Sequence, residues 1–173
     1  MTHEPGDGFD AYAATAWPRL VRMAHLLTGD FHEAEDLVQT TLAKVYGRWR
    51  RIPASEIDAY VRRALVNNNL SRVRRRRVTQ LLMPFLPEHT HHAVGGHAEA
   101  VEDWSALTQV LASLPARQRA VVVLRFLEDL SEAEIAGVLG CSPGTVKTHT
   151  RRALVALRAH PALSLLTADG EHR

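Results

Sequence analysis

Apolar residues recur every three or four positions along most of the chain, which is the spacing of one face of an α-helix. The first such stretch runs from about Phe9 to Leu27 and places Leu20 and Met23 on its inner face. Pro18 is expected to kink or restart this helix, because a proline lacks the backbone N–H that an interior position donates. No convincing strand alternation or hairpin dipeptide stands between apolar runs. The pattern therefore predicts an all-α protein.

Two further helices follow in the first half of the chain. Asp30 with Glu33 three residues later is the arrangement of a capping box and predicts the start of a helix that ends at about Trp49. A third helix is expected to begin at Ser55 or Glu56 and to end in a run of arginines.

The helical pattern is lost from Gln80 to about Val101, where prolines and a glycine pair interrupt "LLMPFLPEHTHHAVGGHAEA". This composition predicts a flexible linker between two small helical domains. We place the boundaries at 1–78, 79–100 for the linker, 101–160, and 161–173 for a tail. The tail contains three leucines that could dock on the last helix or on a partner: Leu163, Leu165 and Leu166.

The second domain is predicted to hold four shorter helices. Pro115 is expected at the first helical position of the second of them, and Ser131 with Glu134 forms another capping-box pattern. The expected spans are Val101 to Ala112, Pro115 to Leu127, Glu132 to Leu139 and Pro143 to Ala159.

The stretch "CSPGTVKTHTRRAL" explains the break between the last two helices. Gly140 permits a tight turn, Cys141 is small enough to fill the corner, and Ser142 can cap the next helix. Pro143 favours the first helical turn, and Gly144 leaves room for a DNA backbone. This is the layout of a helix-turn-helix, whose second helix enters the DNA major groove.

The outer face of that second helix is rich in hydroxyls and cations, which suit phosphates and base edges. A corner of this kind could be merely structural, but the capping box, the filled turn and the basic face together favour DNA binding. The candidate DNA-binding residues are Ser142, Gly144, Thr145, Lys147, Thr148, His149, Arg151 and Arg152.

The third helix carries a second candidate nucleic-acid surface. Five arginines lie between Arg72 and Arg77, and they could neutralise phosphates, while amides could bond to the base edges of a partly unstacked strand. The outward residues predicted for this role are Arg62, Arg63, Asn67, Asn68, Ser71, Arg74 and Arg75.

Composition limits the class of protein. The 173 residues are 46% hydrophobic and 23% charged, as in a soluble globular protein. The net charge is only +2, but basic and acidic residues are segregated along the chain. This segregation predicts basic surfaces that bind a polyanion and a second partner of a different kind. The single cysteine, the lack of a signal peptide and the lack of a long apolar run indicate a cytoplasmic protein that is not inserted in a membrane.

Enzymatic chemistry is not expected. Glu33, Glu35 and Asp36 share one turn, but no histidine or second acidic cluster stands at a matching spacing, and no glycine-rich phosphate loop is present. We therefore expect no cofactor. The linker histidines fit no closed metal site, and pH sensitivity of the linker is the alternative for His89, His91, His92 and His97.

At the level of families, "LPARQRAVVVLRFLEDLSEAEIAGVLGCSPGTVKTHTRRALVALR" resembles the domain of bacterial sigma factors that reads the upstream (−35) promoter element. "GDFHEAEDLVQTTLAKVYGRW" with "DAYVRRALVNNNLSRVRRRR" resembles their domain that binds core polymerase and reads the −10 element. The pair is similar to the extracytoplasmic-function (ECF) group, SigE-like subgroup. The resemblance implies a dissociable subunit of RNA polymerase that directs promoter recognition and opening without catalysis.

The resemblance also implies partners. Glu35, Asp36 and Gln39 match the surface that contacts the coiled coil of the largest polymerase subunit, although Thr40 stands where the family usually has an acid. The flap of core RNA polymerase, promoter DNA and a possible anti-sigma factor are the other implied partners.

For promoter opening, Asn67 matches a recurrent asparagine of the family, whereas Ser71 and Val73 depart from a common aspartate and tryptophan. The resemblance also implies that the loop from about Arg50 to Glu56 captures a flipped base. The competing hypothesis is a transcriptional regulator that binds duplex DNA as a dimer without polymerase. The arginine-rich third helix favours the sigma factor.

Overall fold

The computed structural model describes residues 7–83 and 100–162, without the side chains of Asp7 and residues 100–105. Within these ranges the chain forms α-helices joined by turns and contains no strand, which confirms the all-α prediction. The helices are α1 (Asp7–Thr28), α2 (Phe31–Tyr46), α3 (Ile57–Leu82), α4 (Ala100–Ala112), α5 (Ala116–Phe126), α6 (Glu132–Leu139) and α7 (Pro143–Arg158). Two short 3₁₀ turns, Trp49–Arg51 and Ala54–Glu56, connect α2 to α3.

Helices α1 to α3 pack against one another as an N-terminal unit. Leu20 and Met23 of α1, Leu37 of α2 and Leu65 of α3 are fully buried and form the centre of its core. Buried residues recur at three- or four-residue intervals in each helix, as at Leu37 and Thr41 of α2 and at Val61 and Leu65 of α3, so the helices bury one face against each other.

The start of α2 differs from the predicted capping box. The Asp30 side chain accepts a hydrogen bond from the backbone N–H of Glu33 at 2.8 Å, as expected. The Glu33 carboxylate does not return to the Asp30 N–H; it accepts two hydrogen bonds from Arg76 at 2.8 and 2.9 Å, and the Asp30 N–H bonds to the Thr28 hydroxyl. The Glu33 carboxylate gains two hydrogen bonds to a cation in this arrangement, and the Asp30 N–H still has a partner in the Thr28 hydroxyl, so no donor is left unsatisfied.

Several predicted boundaries are corrected. Helix α1 runs through Pro18 without restarting, and the carbonyl that loses its donor belongs to exposed Ala14, where water can satisfy it. Helix α2 ends at Tyr46, earlier than predicted. Helix α3 continues to Leu82, so the predicted linker 79–100 begins as helix. The predicted linker histidines and the leucines of the tail lie outside the described residues.

Helices α5 to α7 pack around Leu124, Ile135, Val146 and Ala153, which are all buried, and α4 packs on α1. We refer to α4 to α7 together as the C-terminal unit. Pro115 is the residue before α5 rather than its first helical residue, because its ψ of 142° is extended. Its carbonyl still accepts the hydrogen bond of the Arg119 N–H at 2.9 Å, so it caps the helix from outside.

The two units pack directly on each other. Helix α1 contacts α4 and α5, and α3 contacts α5 and α6. Their buried apolar residues form one continuous cluster across this interface. The two units therefore share one apolar core.

Candidate nucleic-acid interface

The corner between α6 and α7 has the predicted helix-turn-helix geometry. The Ser131 hydroxyl and the Glu134 carboxylate form a complete capping box at the start of α6. Gly140 ends that helix at φ 63°, in the left-handed region that favours glycine. The Ser142 hydroxyl accepts a hydrogen bond from the Thr145 N–H at 3.1 Å and caps α7. The corner is thus fixed by local sequence, as the spacing predicted.

The outer face of α7 presents three exposed cations, Lys147, Arg151 and Arg152. Lys147 Nζ lies 3.7 Å from a carboxylate oxygen of Glu132, and its side chain is 70% exposed, so this weak pair leaves the ammonium accessible. Beside the two arginines a groove of about 510 Å³ runs along α7. Ser142, Gly144 and Thr148 are also exposed, and Thr145 is half-buried.

His149 is a correction within this set, because it does not point outward as expected. The residue is half-buried, and its Nδ1 atom is buried with no hydrogen-bond partner among the described residues. Burial lowers the pKa of His149, and the nearby charges of Arg117 and Arg152 lower it further. The imidazole is therefore neutral at pH 7 and adds no positive charge to the outer face of α7.

The predicted residues of α3 separate into two groups. Arg63, Arg74 and Arg75 are exposed and free to meet a phosphate backbone. Asn68 is a correction to the outward set: its side chain donates to the Thr41 hydroxyl at 3.0 Å and accepts from Lys44 Nζ at 2.9 Å. These bonds tie α3 to α2, because Asn68 lies over the seam between the two helices.

Arg62 and Asn67 both contact the C-terminal unit; Arg62 is half-buried, whereas Asn67 stays exposed. Arg62 Nε donates to the Glu128 carboxylate at 2.8 Å, and the Asn67 side-chain amide donates to the Val138 carbonyl at 3.3 Å. Ser71 is half-buried. Sequence analysis did not single out Glu128, since one acid within the acidic stretch "LEDLSEAEI" carries no signal of a partner sixty-six residues away.

The predicted acidic surface lies on one face of α2. Gln39 is exposed, Glu35 is half-buried, and the Asp36 side chain is 73% exposed. Arg72 Nη2 lies 3.8 Å from the Asp36 carboxylate, a distance at which an exposed ion pair contributes little. Asp36 thus remains available to another protein.

The loop from Arg50 to Glu56 passes through the two 3₁₀ turns and stays largely exposed. A cleft of about 360 Å³ lies nearby, and Lys44, Arg48, Tyr60 and Asn68 line it. The Arg48 guanidinium donates to the Tyr60 hydroxyl at 3.4 Å. Sequence analysis missed this cleft because Lys44 comes from α2, Arg48 comes from the turn after α2, and Tyr60 comes from α3.

Over the described ranges, no three histidine, cysteine or acidic side chains are grouped as metal ligands. In the same part of the chain, none of the helices combines the length and apolar character of a membrane span.

Comparison with known proteins decides the family. Residues 13–79 match the family Sigma-70 region 2, and residues 104–157 match Sigma-70, region 4. The RNA polymerase sigma-E factor of Streptomyces coelicolor is 41% identical over 152 residues, which cover 87% of this chain and 84% of that protein. The chain belongs to the ECF group of RNA polymerase sigma factors. This sigma factor is also 33% identical to the ECF RNA polymerase sigma factor SigE of Mycolicibacterium smegmatis, over 88% of its own length and 64% of the relative.

Solved structures agree on the fold of this sigma factor. The sigma factor RpoE of Bartonella quintana, in complex with the anti-sigma factor NepR, matches with a TM-score of 0.69 and 26% identity over 87% of this chain and 94% of that one. CnrH, in complex with the cytosolic domain of CnrY, matches with a TM-score of 0.62 and 22% identity over 95% of this chain and 92% of that one.

Proposed function

We propose that this sigma factor binds core RNA polymerase through α2 and reads promoters through two separate surfaces, one on α3 and one on α7. In this division of roles, residues 1–78 bind the polymerase and read and melt the −10 element, and residues 101–160 read the −35 element. The sigma factor performs no catalysis of its own. The observation that carries the proposal is the combination of a fully capped helix-turn-helix with exposed cations on its second helix.

Reading of the upstream element is assigned to α7. The N-terminal half of this helix carries the positive end of the helix dipole, and the exposed Lys147, Arg151 and Arg152 follow it. Ser142, Gly144, Thr145 and Thr148 would approach the phosphates and base edges. His149 would support the helix as a neutral, half-buried side chain.

Reading of the −10 element is assigned to α3. Arg63, Arg74 and Arg75 supply exposed charge for the DNA backbone. Arg62 and Asn67 would read the opened strand after they leave their partners in the C-terminal unit. Ser71 lies on the same helix, and Asn68 would act by holding α3 against α2.

The acidic surface of α2 is assigned to the coiled coil of the largest polymerase subunit, with Asp36, Gln39 and Glu35 as its contacts. The flap of the polymerase would hold the C-terminal unit. An anti-sigma factor is a further candidate partner, because the sigma factor RpoE described above was solved in complex with the anti-sigma factor NepR.

Run-off transcription tests the whole proposal. The purified protein would be mixed with bacterial core RNA polymerase and a genomic promoter library, and duplex binding by the protein alone would be measured in parallel. Transcripts that start below a shared motif only when both components are present are the expected result. Tight duplex binding without polymerase, together with no transcription, would instead identify a DNA-binding regulator.

Asp36→Arg is expected to reduce the affinity for core RNA polymerase by about tenfold or more, because it replaces a negative side chain by a positive one in the proposed contact. The fold should be unaffected, since the side chain is 73% exposed. Asp10→Arg makes the same change of charge at an exposed position of α1 and is the matched control. An equal loss of affinity in both variants would mean that net charge, and not this surface of α2, drives binding.

A further inference from the structure

The groove on the outer face of α7 combines cations with apolar surface. It has a volume of about 510 Å³, and the residues that line it share one face of the helix: Thr148, Arg151, Arg152, Val155, Ala156 and Ala159. Val155 is 58% exposed. Exposed cations suit the phosphates of DNA, but an exposed apolar side chain gains nothing from a polyanion. The groove as a whole therefore fits a ligand that is partly apolar and partly acidic.

The two kinds of surface are separated along the helix. The arginines lie in the N-terminal half of the groove, and the apolar residues lie in its C-terminal half. Arg151 and Arg152 are both exposed, and neither forms an ion pair with a carboxylate of the described ranges. An extended peptide with apolar residues at one end and acids at the other would match both halves at once.

The chain that follows α7 has this composition in the matching order. The described part ends at Ala162, three residues beyond the groove, and the sequence continues as "LSLLTADGEHR". Leucines come first, at positions 163, 165 and 166, and Asp169 and Glu171 follow them. A chain that returns along α7 reaches the apolar half of the groove first and the arginines after it. The order of the residues therefore fits an antiparallel return along the helix.

The distances also agree with such a return. The eight residues of helix from Ala159 back to Arg151 span about 12 Å, at about 1.5 Å per residue. The seven residues from Ala162 to Asp169 span up to about 24 Å when they are extended. Asp169 can therefore reach the arginines, with enough length left over for the chain to reverse its direction.

We propose that the groove on α7 is the docking site for residues 163–173 of the tail, with the leucines on its apolar half and with Asp169 and Glu171 on the arginines. The inference rests on the proposed function, because Arg151 and Arg152 are assigned there to the upstream promoter element. The docked tail covers part of the DNA-reading face, and DNA phosphates must replace its carboxylates. The tail thus lowers the affinity of the protein for duplex DNA.

Asp169→Asn with Glu171→Gln tests this competition in the full chain. The variant loses the acids that pair with the groove, so its affinity for a mixed-sequence DNA duplex should rise about five- to tenfold. Asp10→Asn with Asp129→Asn changes the net charge equally at two exposed positions and is the matched control. Asparagine tolerates the φ of 52° at position 129. Equal affinities of the two double variants, by fluorescence anisotropy, would overturn the proposal.

Disulfide trapping gives an independent test of the docked position. Ala156→Cys and Leu165→Cys are combined in a Cys141→Ala background, and the rate of disulfide formation under a mild oxidant is followed by mass spectrometry. Arg158→Cys with Leu165→Cys is the control, because Arg158 is nearer to the tail along the chain but does not line the groove. We expect the first pair to form its disulfide at least about threefold faster. Equal rates, or disulfides that join two copies of the chain, would contradict the docked position.

Failure of the docked tail and failure of the proposed function give different results. If the wild type directs transcription with core polymerase but the two charge variants bind the duplex equally, the docked tail is wrong and the function stands. If the Ala156 pair forms its disulfide faster but the wild type directs no transcription, the docking is real and the role in promoter recognition is wrong.

Discussion

Replacing Lys147 and Arg151 together with alanine is expected to weaken binding of the upstream promoter duplex by about 10- to 100-fold, while the affinity for core RNA polymerase stays within about twofold. Both side chains are exposed on the outer face of α7, and only Lys147 has a weak partner, Glu132 at 3.7 Å. Their loss should therefore remove contacts to DNA without disturbing the fold. The measurement is the equilibrium affinity of the polymerase complex for its promoter, as a function of salt.

The salt dependence makes this prediction specific. Each phosphate contact that is lost should reduce the slope of log affinity against log salt by about one. Arg117→Ala with Arg158→Ala removes the same charge from two exposed positions outside the proposed surface and is the matched control. If both double variants lose affinity equally, binding depends on net charge alone and the assignment of α7 fails.

Local sequence was sufficient for the helix-turn-helix. The predicted span of α6, Glu132 to Leu139, agrees with the structure, and the roles of Ser131, Gly140 and Ser142 are confirmed. Each of these residues interacts with a backbone group within five positions of itself. Both partners of every interaction therefore lie in the same short segment, and the segment alone predicts them.

Side chains whose partners lie far along the chain were not predictable in the same way. Glu33 had the spacing of a capping residue, but its carboxylate accepts hydrogen bonds from Arg76 of α3 instead. Asn68 and Arg62 both stood on the outward side of a helical wheel, and both bond to other elements. A helical wheel gives the direction of a side chain from its own axis; it does not say which neighbour occupies that direction.

His149 shows the same limit within the C-terminal unit. Its position on α7 is one turn from Thr145 and suggested a place on the DNA-binding face. Helix α5 packs against α7 and brings Arg117 close to the imidazole, which is why burial and positive charge both lower the pKa of His149. The sequence of α7 alone could not predict this contact, because Arg117 belongs to α5.

Arg119→Met is expected to destabilise the protein by about 2–4 kcal/mol, because it removes the donor to three backbone carbonyls at once. The Arg119 guanidinium donates to the Leu27 carbonyl at 2.8 Å, to the Ala112 carbonyl at 2.8 Å and to the Leu114 carbonyl at 3.1 Å. Leu27 lies in the last turn of α1, and Ala112 ends α4, so one side chain satisfies helix-end carbonyls in both units. Methionine retains most of the aliphatic volume but donates nothing. The measurement is the free energy of unfolding from urea denaturation.

Arg117→Met is the control for that measurement, because Arg117 is an exposed neighbour on α5 and its replacement should change the free energy of unfolding by no more than about 0.5 kcal/mol. The shape of the transition carries additional information. Since Arg119 binds both the end of α1 and the end of α4, its loss should weaken the coupling between the units as well as the stability of each. We therefore expect the transition of Arg119→Met to broaden or to separate into two steps, with a smaller apparent m value. A single transition with an unchanged midpoint would mean that water replaces the guanidinium at all three carbonyls and that the apolar cluster alone holds the units together.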